Sequence, residues 1–240
     1  LLDLKAYLDG PYVENDGLMH DSLRVNGLIP LNEPYAALGF PQVGLGGESI
    51  APALLVTTGN NAVVDWVRVE LRSTSSPSTI IATQSGIITR SGQVLSASGT
   101  PMRIGVPMGN YHVVLRHRNH LGVMTASPIT LNTTATTVDF RSTTTWGTAA
   151  QRINGSTARM WSGEVVRDGV VLYTGGNNDR DRVLQEIGGT VPTNVVEGYL
   201  PSDVNMDGLV KYTGGGNDRD PILANIGGTV PTSARAEQLP

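Results

Sequence analysis

The 240-residue sequence contains no cysteine and few large aromatic side chains. The absence of cysteine excludes disulfide bonds, thiol catalysis and zinc sites built on thiolates. Only three Trp and two Phe are present, so an aromatic platform for sugars is less favoured. If the protein works outside the cell, something other than disulfides must stabilise it.

Charged residues are also scarce, at 16% of the chain with a formal net charge of -4. No cluster of Lys and Arg forms a basic patch, so nucleic acid is not expected as a partner. No apolar run approaches the roughly 20 residues of a membrane span, which predicts no membrane insertion. The first ten residues lack the pattern of a signal peptide, so an exported protein would be present in its mature form.

Period-two alternation runs through the first 140 residues and predicts a mostly β protein. Val67, Val69 and Leu71 share one strand face, and a turn at Ser91-Gly92 predicts a hairpin. Several short strands between Gly, Pro and Asn turns predict an immunoglobulin-like or transthyretin-like β-sandwich over residues 1–142. A threonine-rich stretch favours a linker over 143–160, and residues 161–240 form a second module.

No Gly-x-Ser-x-Gly elbow, phosphate loop or dinucleotide fingerprint is present, so we expect no enzymatic activity. His117 and His120 could meet across the "HRNH" turn. Two imidazoles without a third ligand make a poor metal site, so the sequence favours a surface hairpin there.

The second module repeats itself. "GEVVRDGVVLYTGGNNDRDRVLQEIGGTVPT" aligns without a gap onto "SDVNMDGLVKYTGGGNDRDPILANIGGTVPT", at the 39-residue offset that separates Asp168 from Asp207. Roughly two-thirds of the aligned residues are identical, which indicates a duplicated supersecondary unit. Each unit should hold a loop, a short helix capped by Asn217 or Asp218 in the second copy, and a glycine stop.

The duplicated unit resembles a dockerin, the paired half EF-hand calcium module of secreted bacterial polysaccharide-degrading complexes. The Tyr-Thr-Gly and Asn-Asp-Arg-Asp motifs with "IGGTVPT" are more narrowly similar to a C-terminal region of large secreted proteins of Bacteroidetes-type bacteria. In that region a β-sandwich with motifs such as "RHRNHL" and "GLIP" precedes the repeat. The resemblance implies Ca²⁺ as cofactor and an extracellular or cell-surface location.

The second unit begins like an EF-hand calcium loop, which supplies oxygen ligands from its positions 1, 3, 5, 7, 9 and 12. Asp203, Asn205 and Asp207 occupy positions 1, 3 and 5. Gly208 provides the sharp turn at position 6, and the backbone carbonyl of Leu209 falls at position 7. These residues predict one side of a calcium site.

The closing carboxylate is displaced, because the twelfth residue of this loop is Gly214. If Lys211 to Gly216 is an inserted turn, Asn217 and Asp220 have the spacing of the last two dockerin ligands. A shorter insertion would place Asp218 at the ion instead. The apolar residues after Asp220 favour it slightly over Asp218.

The first unit offers fewer oxygen ligands. Glu164 stands where the second unit has Asp203, and Val166 cannot ligate where Asn205 can. We expect the second site to bind more tightly, and the occupancy of the first is left open. The first-unit candidates are Glu164, Asp168, the Val170 carbonyl, Asn178, Asp179 and Asp181.

Three functions fit these features. The first is a non-catalytic, calcium-stabilised structural or adhesion module, which could self-assemble into a surface filament or join another surface protein. The second is a docking module that anchors a secreted protein to a receptor, although exposed helix positions such as Arg182 and Pro221 differ between the copies. The third is a carbohydrate-binding sandwich.

Overall fold

A computed structural model describes residues 1–44 and 46–240 of the chain. Strands account for 33% and helices for 11%, which confirms the mostly β class. The strands are β1 (Leu2–Lys5), β2 (Tyr12–Val13), β3 (Leu18–Met19), β4 (Val63–Arg72), β5 (Ile80–Thr89), β6 (Gln93–Ser96), β7 (Gly109–Arg116), β8 (Val123–Met124), β9 (Ile129–Leu131), β10 (Thr136–Asp139), β11 (Gln151–Asn154), β12 (Thr157–Met160), β13 (Val170–Leu172), β14 (Val195–Glu197), β15 (Leu209–Lys211) and β16 (Ala234–Ala236). The helices are α1 (Ser22–Val25), α2 (Asp179–Glu186) and α3 (Arg219–Asn225), with 3-10 turns at Pro52–Val56 and Gly59–Asn61. Within the described part, no helix has both the length and the apolar character to cross a membrane.

The main sheet is mixed and curled. Its strand order is β10-β1-β6-β5-β4-β7-β8, with β9 also paired to β7. Only the β1–β10 pairing is parallel among these strands. β9 and β10 follow each other in the chain, and the Thr136 hydroxyl donates to the Thr130 carbonyl at 2.8 Å. The sheet therefore curls until its two ends approach each other.

Strand β4 lies at the centre of this sheet and is buried on both faces. Val67, Val69 and Leu71 enter the main hydrophobic core as the alternation predicts. The opposite face carries Arg68, which is also fully buried. Part of the segment before β4 covers that face, because the Phe40 ring lies 5.7 Å from the Arg68 guanidinium carbon.

The predicted hairpin at Ser91-Gly92 joins β5 to β6. Gly92 adopts a φ of +83°, and a Cβ there would collide with the Ala6 carbonyl, so glycine is required. Part of the expected linker over 143–160 is an ordered hairpin, β11–β12. Its last residue, Met160, is fully buried, and its backbone N–H donates to the Tyr7 carbonyl at 2.9 Å. The hairpin is thereby joined to the main core.

The two repeat units interlock around an approximate two-fold relationship. β13 of the first unit pairs with β16, and β15 of the second unit pairs with β14, so each loop strand pairs with the strand that follows the other helix. Equivalent residues share unusual backbone angles, with φ of +65° at Arg167 and +63° at Met206. The repeat detected in the sequence is thus a repeat in conformation.

A second hydrophobic core lies between the two units. Val171, Val183, Val210 and Ile222 are fully buried in it, and Leu121 from the first half of the chain joins them. In return Met206 of the second loop enters the main core. The repeat module and the sheet therefore exchange buried side chains and pack as one body.

Candidate functional site

The loop from Asp203 to Leu209 folds so that its own oxygen side chains hold its backbone. The N–H of Asp207 donates to Asp203 Oδ1 at 3.1 Å and to Asn205 Oδ1 at 2.8 Å. The N–H of Gly208 donates to Asp203 Oδ2 at 2.9 Å, and that of Leu209 to Asp207 Oδ1 at 2.8 Å. These bonds gather three predicted ligand side chains on one loop.

Asp218 closes this loop from the start of α3. Its Oδ1 accepts from the N–H groups of Val204 at 2.7 Å and Asn205 at 3.2 Å. Its Oδ2 accepts from the N–H of Lys211 at 2.8 Å, and the residue is fully buried. Asp218 therefore joins the two ends of the loop to the helix.

Asp220 occupies a different position from Asp218. Its N–H donates to Asn217 Oδ1 at 2.9 Å, and its Oδ2 accepts from Asn217 Nδ2 at 2.9 Å. The Asp220 side chain is 60% exposed and pairs with Arg219. Two residues along a helix turn by about 200°, so Asp218 and Asp220 face opposite ways. The structure brings Asp218 to the loop rather than the favoured Asp220, which forms a helix cap with Asn217.

Burial raises the pKa of the carboxylates at both ends of this site. It raises the pKa of Asp203 to about 6. It also raises the pKa of Asp218 to about 8, and the nearby charge of Asp203 adds to this shift despite three backbone donors. Burial disfavours a carboxylate charge, whereas a bound cation favours it. The loop thus holds two acidic groups whose ionisation a cation would stabilise.

The first unit reproduces the closing contact but not the ligand set. Asp179 accepts from the N–H groups of Val165, Val166 and Leu172 at 2.7, 2.9 and 2.7 Å, as Asp218 does in the second unit. Burial raises its pKa to about 6. Asp181 bonds Asn178 in a helix cap, as Asp220 bonds Asn217.

Glu164 and Asp168 do not reproduce the second loop. Glu164 is buried, and neither of its carboxylate oxygens has a hydrogen-bond partner within the described residues. The N–H groups of Asp168 and Gly169 face it, as those of Asp207 and Gly208 face Asp203, but do not reach hydrogen-bond geometry. Burial, with the charges of Asp179 and Asp168, raises the Glu164 pKa to about 7. Asp168 is exposed, and its Oδ1 accepts a hydrogen bond from the Val170 N–H at 3.1 Å.

The residues fit a calcium ion in the second loop better than in the first. Among residues 1–44 and 46–240, no three His, Cys, Asp or Glu side chains converge as a metal site. An EF-hand loop also uses amide and backbone carbonyl oxygens, and Asn205 and Leu209 supply these types here. The first unit has Val166 in place of the amide, and its Glu164 and Asp168 are not held together by backbone bonds.

The turn over residues 117–120, predicted as a surface hairpin, is buried against the repeat module. His117 Nε2 donates to Asp65 Oδ2 at 3.0 Å. The Nδ1 atoms of His117 and His120 lie 2.9 Å apart, and His120 Nε2 accepts from the N–H of Gly10 at 3.1 Å. The histidines do meet, as the spacing allowed. Every ring nitrogen of the two histidines lies within hydrogen-bond distance of another protein atom.

Asp65 is the centre of a buried polar cluster that sequence patterns did not reveal. Arg118 Nε donates to Asp65 Oδ2 at 3.0 Å, and the Tyr199 hydroxyl donates to Oδ1 at 2.6 Å. The Arg118 guanidinium carbon lies 4.3 Å from the Tyr199 ring centroid. Burial alone would raise the pKa of Asp65, but Arg118, His117 and Tyr199 outweigh it and hold that pKa below its usual value.

The second loop is docked against the first half of the chain. Asn26 Nδ2 donates to the Asp207 carbonyl at 3.2 Å, and His20 Nε2 donates to the Asn205 carbonyl at 3.1 Å. Both contacts join residues more than 180 positions apart in sequence. Hydrogen bonds thus join the candidate site to the first half of the chain.

No protein-family model matches the chain, and no curated protein or solved structure matches it significantly. The geometry of the two loops and of their support is therefore the ground for a functional assignment.

Proposed function

We propose that the chain is a non-catalytic, calcium-stabilised structural or adhesion module of the bacterial cell surface. The observation that carries this proposal is the burial of two carboxylates, Asp203 in the loop and Asp218 at the start of α3, beside the oxygen side chains of Asn205 and Asp207. Buried carboxylates are costly unless a positive charge compensates them. A calcium ion supplies that charge.

Calcium suits this loop because it is a hard cation that takes six to eight oxygen ligands. Binding would bring Asp203, Asp207 and Asp218, whose carboxylates do not converge in this structure, around one ion. The Asn205 amide oxygen and the Leu209 carbonyl would complete the set. When bound, the ion would cross-link the loop to the start of α3. In a chain without cysteine, this is a substitute for disulfide cross-links.

A structural role agrees with the location of the titratable side chains. Asp65, His117 and His120 all have a pKa below the ordinary value, and all three side chains are buried. A catalytic group must reach its substrate. These side chains are held in contacts between the sheet and the repeat. Their arrangement therefore supports a role in stabilising the fold.

The surface location rests on the resemblance of the repeat to dockerin-like regions of secreted bacterial proteins. One further feature supports association, either with a second copy of the chain or with a receptor. Val191 and Val230 are equivalent residues of the two units, and they are 45% and 51% exposed. Two matching apolar side chains could contact a second copy of the chain or a receptor.

Calcium titration calorimetry on the full chain tests the proposal. We expect one dominant site that Asp207→Ala removes. Asp168→Ala changes the equivalent residue of the first loop and should leave that site intact. The absence of calcium binding, or two sites of equal affinity, would contradict the assignment.

A further inference from the structure

Asn119 lies between the two repeat loops and contacts the first residue of each. Its side-chain Nδ2 donates to the Asp203 carbonyl at 2.7 Å and to the Pro201 carbonyl at 3.1 Å. Its backbone carbonyl accepts from the N–H groups of Gly163 at 3.0 Å and Glu164 at 3.1 Å. One fully buried residue of the β region thus fixes the start of both loops.

The orientation of the Asn119 amide is set by its neighbours. His120 Nδ1 lies 2.8 Å from Asn119 Oδ1, so the amide oxygen faces the histidine and the amide nitrogen faces the second loop. The preceding residue, Arg118, is bonded to the buried Asp65 of β4. Asn119 therefore occupies a fixed place relative to the central strand of the sheet.

We infer that Asn119 is a positioning residue for the calcium loop and couples ion binding there to the sheet and to the first unit. Asp203 supplies the first ligand of the proposed site. The hydrogen bond to its backbone carbonyl therefore fixes the position of that ligand. The inference rests on the proposed calcium function of the second loop.

Coupling of this kind is reciprocal. If the sheet holds the loop in its binding conformation, calcium bound to the loop must stabilise the sheet by the same free energy. A ligand that binds only the folded state raises the stability of everything that unfolds with its site. Calcium should then protect the buried Trp66 of β4, although that residue does not belong to the loop.

The test compares two buried asparagines. Asn225 is also almost fully buried, and its Nδ2 donates to the carbonyl and hydroxyl of Ser162 at 2.8 and 2.9 Å. Asn119→Ala and Asn225→Ala thus each remove two hydrogen bonds donated by a side-chain Nδ2. Each also removes one accepted by Oδ1, from His120 Nδ1 or from Arg152 Nη1. Only Asn119 touches the residue that supplies a ligand.

Calorimetry on the full chain should show that Asn119→Ala weakens calcium binding about tenfold, the effect of leaving a buried carbonyl without its donor. Asn225→Ala should leave the affinity within about twofold of wild type. If Asn119→Ala does not fold, Asn119→Ser retains a small polar group and should show the same direction of change. An unchanged affinity in the folded Asn119 variant would overturn the inference.

A second readout separates this inference from the calcium assignment. In wild type, the sheet and the repeat should melt together. The Trp66 indole resonance reports the melting of the sheet, and the methyl resonances of Val183 report that of the repeat core. Calcium should raise both melting temperatures, and in Asn119→Ala it should raise that of the sheet by less than in wild type, because the loop then keeps its contacts with the first half through Met206, His20 and Asn26 but loses the one through Asn119. An equal calcium-induced rise at Trp66 in Asn119→Ala and in wild type overturns the coupling. Failure of calcium to bind wild type overturns the proposed function and with it the inference.

Discussion

Arg118 Nε lies 3.0 Å from Asp65 Oδ2, and both side chains are fully buried. Removing one partner of a buried ion pair leaves the other charge without compensation, at a cost of about 3 to 5 kcal/mol. We predict that Asp65→Ala lowers the free energy of unfolding by this amount, as measured by urea denaturation.

A partly exposed pair provides the control for that change. Arg141 and Asp139 form an ion pair at 2.7 Å, with about a quarter of each side chain exposed. Water reaches and screens this pair, so Asp139→Ala should cost less than Asp65→Ala although Arg141 contacts both carboxylate oxygens. Equal losses in the two variants would show that the Asp65 cluster is not effectively sequestered from water.

Acid should weaken the contact between the sheet and the repeat through His117 and His120. Burial holds the pKa of each below its ordinary value of 6.5. The unfolded chain therefore takes up these protons first, so this contribution to stability is lost as the pH falls below about 6.5. Protonated His120 would also place a second donor opposite the N–H of Gly10.

His120→Gln isolates this effect, because glutamine retains polar groups that do not titrate. The free energy of unfolding should fall more between pH 7 and 5.5 in wild type than in the variant, by urea denaturation at each pH. Parallel pH profiles would exclude His120 as a source of acid sensitivity. The variant is needed because the raised pKa of a buried carboxylate such as Asp218 makes the folded state more stable as the pH falls, which opposes the effect of the histidines.

Local patterns in the sequence predicted the local structure well. The alternation at Val67, Val69 and Leu71 identified a core strand, and Gly92 identified a tight turn. The repeat was visible because duplicated loops retain the residues that their turns and caps require. Asn217, for example, caps α3 through the N–H of Asp220.

Contacts between distant segments could not be predicted in this way. Asp65 and Arg118 are 53 residues apart, and neither stands out by hydrophobic periodicity. Arg68 follows the polar face of an alternating strand, yet an irregular segment covers it. The choice between Asp218 and Asp220 depended on where α3 begins relative to the loop. A shift of one residue turns a side chain by about 100°.

The packing of the second loop against the first half predicts unequal effects at two glycines. Gly208 and Gly214 have φ of +93° and +88°, where a side chain is disfavoured. A Cβ at Gly208 would lie 2.7 Å from Leu28 Cδ1, whereas one at Gly214 would meet nothing within 4 Å. Gly208→Ala should therefore destabilise the chain by about 1 kcal/mol more than Gly214→Ala, as measured by thermal unfolding. Equal effects would contradict the docking of this loop.

A chelator should lower the melting temperature of the full chain. About 1 mM calcium over a micromolar site stabilises the folded state by about 4 kcal/mol, which corresponds to about 10 °C for a chain of this size. Asp207→Ala should melt at the same temperature with and without calcium. If a chelator leaves the melting temperature of wild type unchanged, the ion has no structural role.

Light scattering with and without calcium separates a self-assembling module from a docking module. Self-association should give species larger than one chain in calcium, since the ion would order the units that carry Val191 and Val230. Val230→Lys places a charge at an exposed apolar position of the repeat and should reduce assembly. Val56→Lys is a control at a 76% exposed position of the β region and should leave assembly unchanged. A monodisperse chain in calcium would favour docking to a receptor instead, because the apolar pair would then lack a partner among copies of the same protein.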